Sequence, residues 1–131
     1  MRPPHDSLLG RLEYLYLGSA DVEKDLAYYR DVLGAEVVWD FQEFGTRVFA
    51  VRLSKTPPMV ILAGHRPAPS VLPIFAVDDL DAAEKTLRKK GWTPEGPPVE
   101  VPDGPCYLFK DPSGNELALL GQVRPHVLER E

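Results

Sequence analysis

The sequence contains a single cysteine and no hydrophobic run long enough to span a bilayer. Cys106 has no second thiol in the chain with which to form a disulfide. The longest apolar stretches, such as Met59–Ala63, are far below the ~20 residues of a transmembrane helix. The first residues also lack the apolar core of a signal peptide. We therefore expect a cytoplasmic protein that does not associate with a membrane.

Positive charge is scarce as well. The chain has 15 lysine and arginine residues against 20 aspartate and glutamate residues, a formal net charge of −5 at pH 7. Arg88, Lys89 and Lys90 cluster at the end of a predicted helix, where cations interact favourably with the helix dipole. Nothing in the sequence resembles the basic stripe that binds phosphate backbones. We expect no nucleic-acid partner, and the acidic balance slightly favours a cationic ligand.

What the chain does contain is an ordinary globular composition, with 44% hydrophobic and 27% charged residues. Its 131 residues fit one compact domain that can bury a core. Many of the 14 prolines gather in predicted loops, at 57–58, 67–69, 94–98 and 102–105, and no linker separates two independent cores. The sequence therefore predicts a single domain over residues 1–131.

The first half of the chain predicts a strand, a helix and three strands. A strand is expected at 12–17, and a helix from Asp21 to Gly34, where glycine favours helix termination. The apolar residues on one face of this helix are Val22, Leu26, Tyr29 and Leu33. The three strands that follow are expected at 36–41, 47–53 and 59–63.

The same order recurs in the second half. A strand at 71–77 precedes a helix that begins at Asp78 or Asp79 and ends at Gly91. The apolar face of this helix consists of Leu80, Ala83 and Leu87. Further strands are expected at 98–101, 105–110 and 116–121. The chain therefore reads as two divergent βαβββ modules, at about 10–66 and 70–122, followed by a tail at 123–131.

Each module has one helix, which covers only one face of a four-stranded sheet. On the first strand, Leu15 and Leu17 are expected to face the helix. Leu12, Tyr14 and Tyr16 then fall on the opposite face. That face must meet a ligand, the other module or a partner chain, and we expect the function to reside there.

Three stretches carry a resemblance to a known family: DVEKDLAYYRDVLGAEVV, FAVDDLDAAEKTLRKKGW and YLFKDPSGNELALL. In this order they resemble the glyoxalase/bleomycin-resistance/dioxygenase (vicinal oxygen chelate) superfamily, most closely its metal-free, bleomycin-resistance-like branch. The resemblance implies an α+β fold in which two tandem βαβββ modules form curved mixed sheets around a cavity. It also implies a homodimer.

Metal-dependent members of that superfamily take their ligands from the first and last strand of each module. The corresponding residues of this chain are Tyr14, Ile61, Leu72 and Ala118. Three of these side chains have no lone pair, and a neutral phenol is a poor substitute for imidazole or carboxylate. Near the two ends of the chain, His5 and His126 do not restore a ligand set. The resemblance therefore implies neither a metal nor another cofactor.

The expected site lies on the sheet faces away from the helices. The ligand-binding candidates are Tyr14, Tyr16, Ile61, Leu72, Ile74, Ala118 and Glu116. Glu116 shares the strand face of Ala118, and His65 follows the fourth strand, so these two are weak candidates for a catalytic base. The tyrosines either contact a planar ligand or fill space between the modules. The aromatic residues Trp39, Phe41, Phe44 and Phe49 either form core or line a pocket.

Two functions remain open at this point. The first is a protein that binds and sequesters a partly aromatic or cationic small molecule in a metal-free cavity. The alternative is a lyase, isomerase or dioxygenase-type enzyme, either metal-independent or with displaced metal ligands. A module whose cavity is filled and which serves only protein interaction is a third possibility.

Overall fold

The computed structural model describes residues 8–43 and 45–129, so that His5 and Phe44 lie outside the described residues. The first half contains β1 (Arg11–Gly18), α1 (Val22–Ala27), a π-helical turn (Tyr28–Val32), β2 (Glu36–Glu43), β3 (Thr46–Arg52) and β4 (Met59–Ala63). The second half contains β5 (Val71–Val77), α2 (Leu80–Lys89), β6 (Val99–Val101), β7 (Gly104–Lys110), β8 (Glu116–Gly121) and a 3-10 helix (Val127–Glu129). The predicted order of elements is confirmed. No helix within the described ranges is long and apolar enough to cross a membrane.

The described residues form two compact units. The first unit comprises residues 13–73 with 128–129, and the second comprises residues 8–12 with 74–127. In the first unit the strand order is β2-β3-β4-β1, with β1 and β4 parallel and the other pairs antiparallel. In the second unit it is β5-β8-β7-β6, with β5 and β8 parallel. The two four-stranded sets have the same mixed topology, as the internal repeat predicts.

Both helices begin at the expected residues, with Asp21 and Asp79 as the N-caps. A carboxylate oxygen of Asp21 accepts from the backbone N–H of Lys24 at 3.2 Å, and Asp79 accepts from Ala82 at 3.0 Å. Each bond satisfies one of the N–H groups that a helix N-terminus leaves without an intrahelical partner. After each helix, a glycine adopts a left-handed conformation, with φ of +70° at Gly34 and +100° at Gly91.

The core of the first unit lies between α1 and its sheet. Its buried members are Leu26, Ala35, Phe49, Val51, Val60 and Leu62. Leu17 of β1 packs against them, which confirms that Leu17 faces the helix. Phe49 is completely buried, and burial of such a ring contributes roughly 1.5–3 kcal/mol. Phe49 is therefore a core residue and does not line a pocket.

The end of the first helix differs from the prediction. The backbone N–H of Leu33 donates to the carbonyl of Tyr28, five residues earlier, so the chain forms a π-helical turn. This wider turn rotates the following residues away from the core face. Leu33 is 46% exposed, and Ala35 is buried in the core instead. The assignment of Leu33 to the core face was wrong for this reason.

Trp92 packs against the core of the second unit. Its ring meets Tyr107 and Phe109 edge-on, with centroid distances of 5.6 and 5.5 Å. The same core contains Leu87 and Leu119, with further contributions from Leu9, Phe75, Val77, Leu80, Ala83 and Leu117. The predicted apolar face of α2 is thereby confirmed.

The turn between β7 and β8 is held by Asp111. Its Oδ1 accepts from the backbone N–H groups of Ser113 and Asn115 at 3.0 and 2.9 Å, and its Oδ2 accepts from the Asn115 amide at 2.9 Å. These bonds from the Asn115 side chain and backbone hold the pKa of Asp111 below its usual range. Gly114 supplies the left-handed residue of the turn, with φ of +90°.

Candidate functional site

The sheet face of the first unit opposite α1 carries a row of side chains across all four strands. Trp39 of β2 lies opposite Ala50 of β3, Ala50 opposite Ile61 of β4, and Ile61 opposite Tyr16 of β1. The next row consists of Phe41, Val48, Ala63 and Gly18. We call this surface the aromatic face. In the first row, the aromatic side chains of Trp39 and Tyr16 lie at the two sides, with Ala50 and Ile61 between them.

A β-bulge determines which residues of β2 reach the aromatic face. Val37 pairs with the core residue Val51, but Trp39 pairs with Ala50, because Val38 is an extra residue in β2. Trp39 and Phe41 therefore lie together on the aromatic face, with ring centroids 5.4 Å apart. Both rings are half-buried and keep accessible surface.

Four polar side chains meet at one end of the aromatic face, which we call the polar end. The hydroxyl of Tyr16 lies 3.0 Å from Nε2 of His65, and Oγ1 of Thr46 lies 3.4 Å from Nδ1 of the same ring. The guanidinium carbon of Arg66 lies 5.1 Å from the centroid of the Tyr16 ring. Cation and phenol are therefore in cation–π contact.

The imidazole of His65 is exposed, yet it is held through both ring nitrogens. In one tautomer Tyr16 donates to Nε2 while Nδ1–H donates to Thr46, and in the other tautomer both directions reverse. Either way, the orientation of the ring is determined by two hydroxyl groups. An oriented, accessible imidazole is what general acid–base chemistry requires.

Tyr16 remains a neutral hydrogen-bond donor at physiological pH. Burial raises the pKa of its hydroxyl, and the positive charge of Arg66 only partly opposes that increase. The group therefore donates an O–H hydrogen bond to a ligand or to His65, rather than presenting a phenolate.

Two glycines bring the polar end together. The backbone N–H of Gly64 donates to the carbonyl of Arg47 at 3.1 Å, which extends the β3–β4 pairing and carries His65 next to Thr46. A Cβ on Gly18 would lie 1.9 Å from the carbonyl oxygen of Pro67. The segment that carries Arg66 therefore crosses close to the end of β1, where a side chain would collide.

The other predicted binding residues of the first unit are less accessible. Tyr14 and Leu72 are 7% and 4% exposed. Ile61 is half-buried and lies directly opposite Tyr16. Of the residues predicted in this unit, Tyr16 and Ile61 thus lie together on the aromatic face with accessible atoms.

The second unit contains the remaining candidates. Ile74 lies opposite Ala118 in the parallel β5–β8 pair, which is the relationship that Tyr16 and Ile61 have in the first unit. Ala118 is completely buried. Glu116 is exposed, shares the face of Ala118 and lies opposite Lys110 of β7.

A sequence model of the Glyoxalase/Bleomycin resistance protein/Dioxygenase superfamily matches residues 11–119. The chain belongs to this superfamily. A comparison with curated protein sequences gives no significant match.

Solved structures of the superfamily fold resemble the chain at low sequence identity. A methylmalonyl-CoA epimerase from Mycobacterium tuberculosis superposes with a TM-score of 0.72 at 18% identity, covering 92% of this chain and 91% of the epimerase. A Streptomyces coelicolor methylmalonyl-CoA epimerase variant in complex with 2-nitronate-propionyl-CoA gives a TM-score of 0.63 at 19% identity, with coverages of 83% and 96%. A superfamily member from Vibrio splendidus gives 0.57 at 18% identity, with coverages of 80% and 92%. These likenesses show a shared fold.

The superfamily's metal positions do not suit a metal ion in this chain. They hold one phenol and three hydrocarbon side chains, at Tyr14, Ile61, Leu72 and Ala118, and hydrocarbon groups donate no electron pair. Within residues 8–43 and 45–129, no group of three or more His, Cys, Asp or Glu is arranged to hold a metal ion.

The surroundings of Cys106 disfavour nucleophilic reactivity of its thiol. The thiol lies on β7, is 5% exposed and has its pKa raised by burial to about 11. A thiol with that pKa is almost entirely protonated at neutral pH, and the thiolate is the reactive species.

Sequence reasoning missed two members of the polar end, Thr46 and Arg66. Thr46 alternates with Val48 and Ala50 on β3, and this period of two was a signal that all three share a face. Arg66 directly follows His65, but nothing local to the sequence indicated that it packs over Tyr16. That contact depends on the path of residues 64–70 past the end of β1.

Proposed function

We propose that this superfamily member binds and sequesters a small, partly aromatic molecule on the aromatic face of the first unit, without a metal ion. The row that joins Trp39, Ile61 and Tyr16 across four strands is the observation that carries the proposal. Small-molecule sites are typically apolar surfaces with a few convergent polar groups, and the polar end supplies such groups here.

Accessible aromatic rings supply binding energy at a low entropic cost. Trp39 and Phe41 sit 5.4 Å apart and are not fully packed into the core. A planar ligand that stacks on such rings gains about 0.5–1.5 kcal/mol beyond its area burial. The Streptomyces coelicolor structure carries a CoA ester, which supports the view that this fold accommodates small molecules.

A thermal-shift screen tests the proposal, because a ligand that binds only the folded state raises Tm by mass action. The screen uses planar aromatic compounds and cationic antibiotics. Each hit is repeated with Trp39→Ala and with the control Val32→Ala, whose side chain is 68% exposed on the π-helical turn. We expect the shift to disappear in W39A and to persist in V32A. A screen without hits, or hits with equal shifts in both variants, would contradict the proposal.

The contact between Tyr16 and His65 favours a second candidate function, a metal-independent isomerase or lyase. His65 would take a proton from a carbon acid, while the Tyr16 hydroxyl turns to the substrate and donates a hydrogen bond to the oxygen that gains negative charge. His65 would then return the proton to carbon. Glu116, the other weak candidate for a base, lies in the second unit opposite Lys110.

Exchange with heavy water separates the two functions. If the site catalyses proton transfer, a bound ligand with an acidic C–H incorporates deuterium, which mass spectrometry detects. His65→Gln should then slow the exchange at least ~100-fold while the Tm shift by the ligand persists. A ligand that binds but never exchanges would support sequestration alone.

A further inference from the structure

Two hydrogen bonds connect the hydroxyls of the polar end through one imidazole. The Tyr16 hydroxyl lies 3.0 Å from Nε2 of His65, and Oγ1 of Thr46 lies 3.4 Å from Nδ1. A neutral imidazole carries one N–H, so one of its nitrogens donates a hydrogen bond while the other accepts one. The direction of the bond to Tyr16 therefore determines the direction of the bond to Thr46.

The protons of these three groups determine what the polar end offers to a ligand. The two hydroxyls and the neutral imidazole carry one polar hydrogen each, and the two bonds at His65 use two of the three. One O–H remains, on Thr46 in one tautomer and on Tyr16 in the other. The hydroxyl without it offers only lone pairs. The polar end thus presents one donor and one acceptor, on two sides of the imidazole.

Both hydroxyls adjoin the apolar part of the aromatic face. Tyr16 lies opposite Ile61, and both side chains are half-buried. Thr46 and Val48 are two residues apart on β3, share this face and are half-buried as well. A flat ring system that lies on the aromatic face therefore brings the groups at its edge to the two hydroxyls.

Resting on the proposed function, we infer that the ligand is a neutral planar molecule that carries both a hydrogen-bond acceptor and a hydrogen-bond donor, as a 4-quinolone does. Its carbonyl accepts the remaining O–H, and its N–H donates to the other hydroxyl. A carboxylate accepts but does not donate, and an ammonium group donates but does not accept, so each of them satisfies only one of the two hydroxyls. Because the tautomer of His65 can change, Tyr16 and Thr46 can exchange these parts.

Two charged ligand classes compete with a neutral one. The guanidinium of Arg66 over the Tyr16 ring is the reason to test an anion. The net charge of −5, together with Glu43 opposite Thr46 in the β2–β3 ladder, is the reason to test a cation.

Four bicyclic aromatic probes decide between the classes. They are 4-quinolone, 1-methyl-4-quinolone, which has no N–H, 2-naphthoate and 2-naphthylmethylammonium. Each is titrated calorimetrically into the full chain at about pH 8, where a free imidazole is neutral. We expect 4-quinolone to bind most tightly. Its 1-methyl derivative should bind about five-fold more weakly, because one hydrogen bond contributes roughly 1 kcal/mol.

Variants of Thr46 separate the lost hydrogen bond from the bulk of the added methyl group. Thr46→Val keeps the shape of the side chain without its hydroxyl, so 4-quinolone should bind only as tightly as its 1-methyl derivative. Thr46→Ser retains the hydroxyl and should retain the preference for 4-quinolone. The matched control is Thr56→Val, at an exposed threonine between β3 and β4, which should also retain it. Circular dichroism of each variant verifies that it folds.

Four results would overturn the inference. If 2-naphthoate or the ammonium probe binds more tightly than 4-quinolone, the ligand class is wrong while binding at the aromatic face stands. If 4-quinolone and its 1-methyl derivative bind equally, the site does not require a donor. If T46V and T56V keep the same preference, the N–H is not recognised by Thr46. If none of the four probes binds, the inference fails, and the thermal-shift screen decides separately whether the proposed function stands.

Discussion

The hydroxyl of Tyr16 lies 3.0 Å from Nε2 of His65, although 49 residues separate the two in the chain. The parallel pairing of β1 and β4 brings them together, since Tyr16 lies opposite Ile61 and His65 comes shortly after β4 ends. The contact is at an accessible edge, where an imidazole can meet a ligand.

The second unit has a different residue at the equivalent place. Gln122 follows Gly121 at the end of β8, as His65 follows Gly64 after β4. Its amide is buried and donates to Asp103 at 3.0 Å. A buried amide bonded to a buried carboxylate stabilises a fold, whereas the exposed imidazole of the first unit is accessible for chemistry. The two repeats have therefore diverged at this position, and the site that we propose lies in the first.

Replacing Tyr16 by phenylalanine removes a hydroxyl and keeps the ring. We expect Y16F to weaken binding of an aromatic compound found in the thermal-shift screen about five-fold, since one hydrogen bond contributes roughly 1 kcal/mol. Tm should change little, because the partner His65 is exposed. Tyr28→Phe, at a tyrosine that is 51% exposed in the π-helical turn, is the control. Equal affinities of Y16F and Y28F would show that the Tyr16 hydroxyl does not contact the ligand.

The two tryptophans report separately on the two units. Trp39 lies on the aromatic face, and Trp92 lies in the core of the second unit. We expect an aromatic ligand to quench or shift the emission of Trp92→Phe, in which Trp39 is the remaining tryptophan. The emission of Trp39→Phe, which retains Trp92, should not change when the ligand is added. A ligand-dependent signal from W39F would place the ligand near Trp92 instead.

Phe49 and Phe41 belong to opposite faces of one sheet, so their removal should have different consequences. Phe49→Ala creates a cavity at a fully buried position, and we expect a loss of about 3–5 kcal/mol in the free energy of unfolding. Phe41→Ala should cost clearly less, because Phe41 is half-buried, but it should weaken ligand binding. Urea denaturation of both variants measures the difference. Similar losses of stability would argue that Phe41 is also core.

The turn at Asp111 gives the fold a defined response to acid. Because the pKa of Asp111 is lower in the folded state, its stabilising contribution is present above the unfolded pKa, about 4, and is lost as pH falls through the folded pKa. We expect Asp111→Ala to have a lower Tm than the unmodified chain at pH 7. The difference in Tm between the two proteins should become smaller as the pH is lowered from about 5 towards 2. A Tm difference that stays constant over this range would exclude ionisation of Asp111 as its source.

We propose that the chain forms a homodimer, because each sheet has a single helix to cover one of its faces. Apolar side chains such as Phe41 and Val48 of the aromatic face favour burial against a ligand or a second chain. Light scattering at micromolar concentration should give about twice the 14.6 kDa of one chain. If the mass remains that of one chain at all protein concentrations from 10 μM upward, the dimer is ruled out.

The sequence by itself determined the order of the elements, the two helix starts and the apolar face of α2. These features depend on interactions within a few residues. Asp21 and Asp79 cap the helices by bonding an N–H three residues later, and alternation along a strand assigns Leu17 and Tyr16 to opposite faces. Interactions within one helical turn or one strand can be predicted from the sequence, because the residues involved are only a few positions apart.

Only the tertiary structure decided which residues form the polar end. It also decided where β2 and the first helix depart from regular periodicity. A bulge after Val37 and a π-helical turn before Leu33 each add one residue to a regular element, and this changes the face that later residues occupy. Such insertions follow from packing between elements and not from local propensity. Tyr16, Thr46 and His65 meet because three strands align in one register, and a register is a relationship between segments that no single segment encodes.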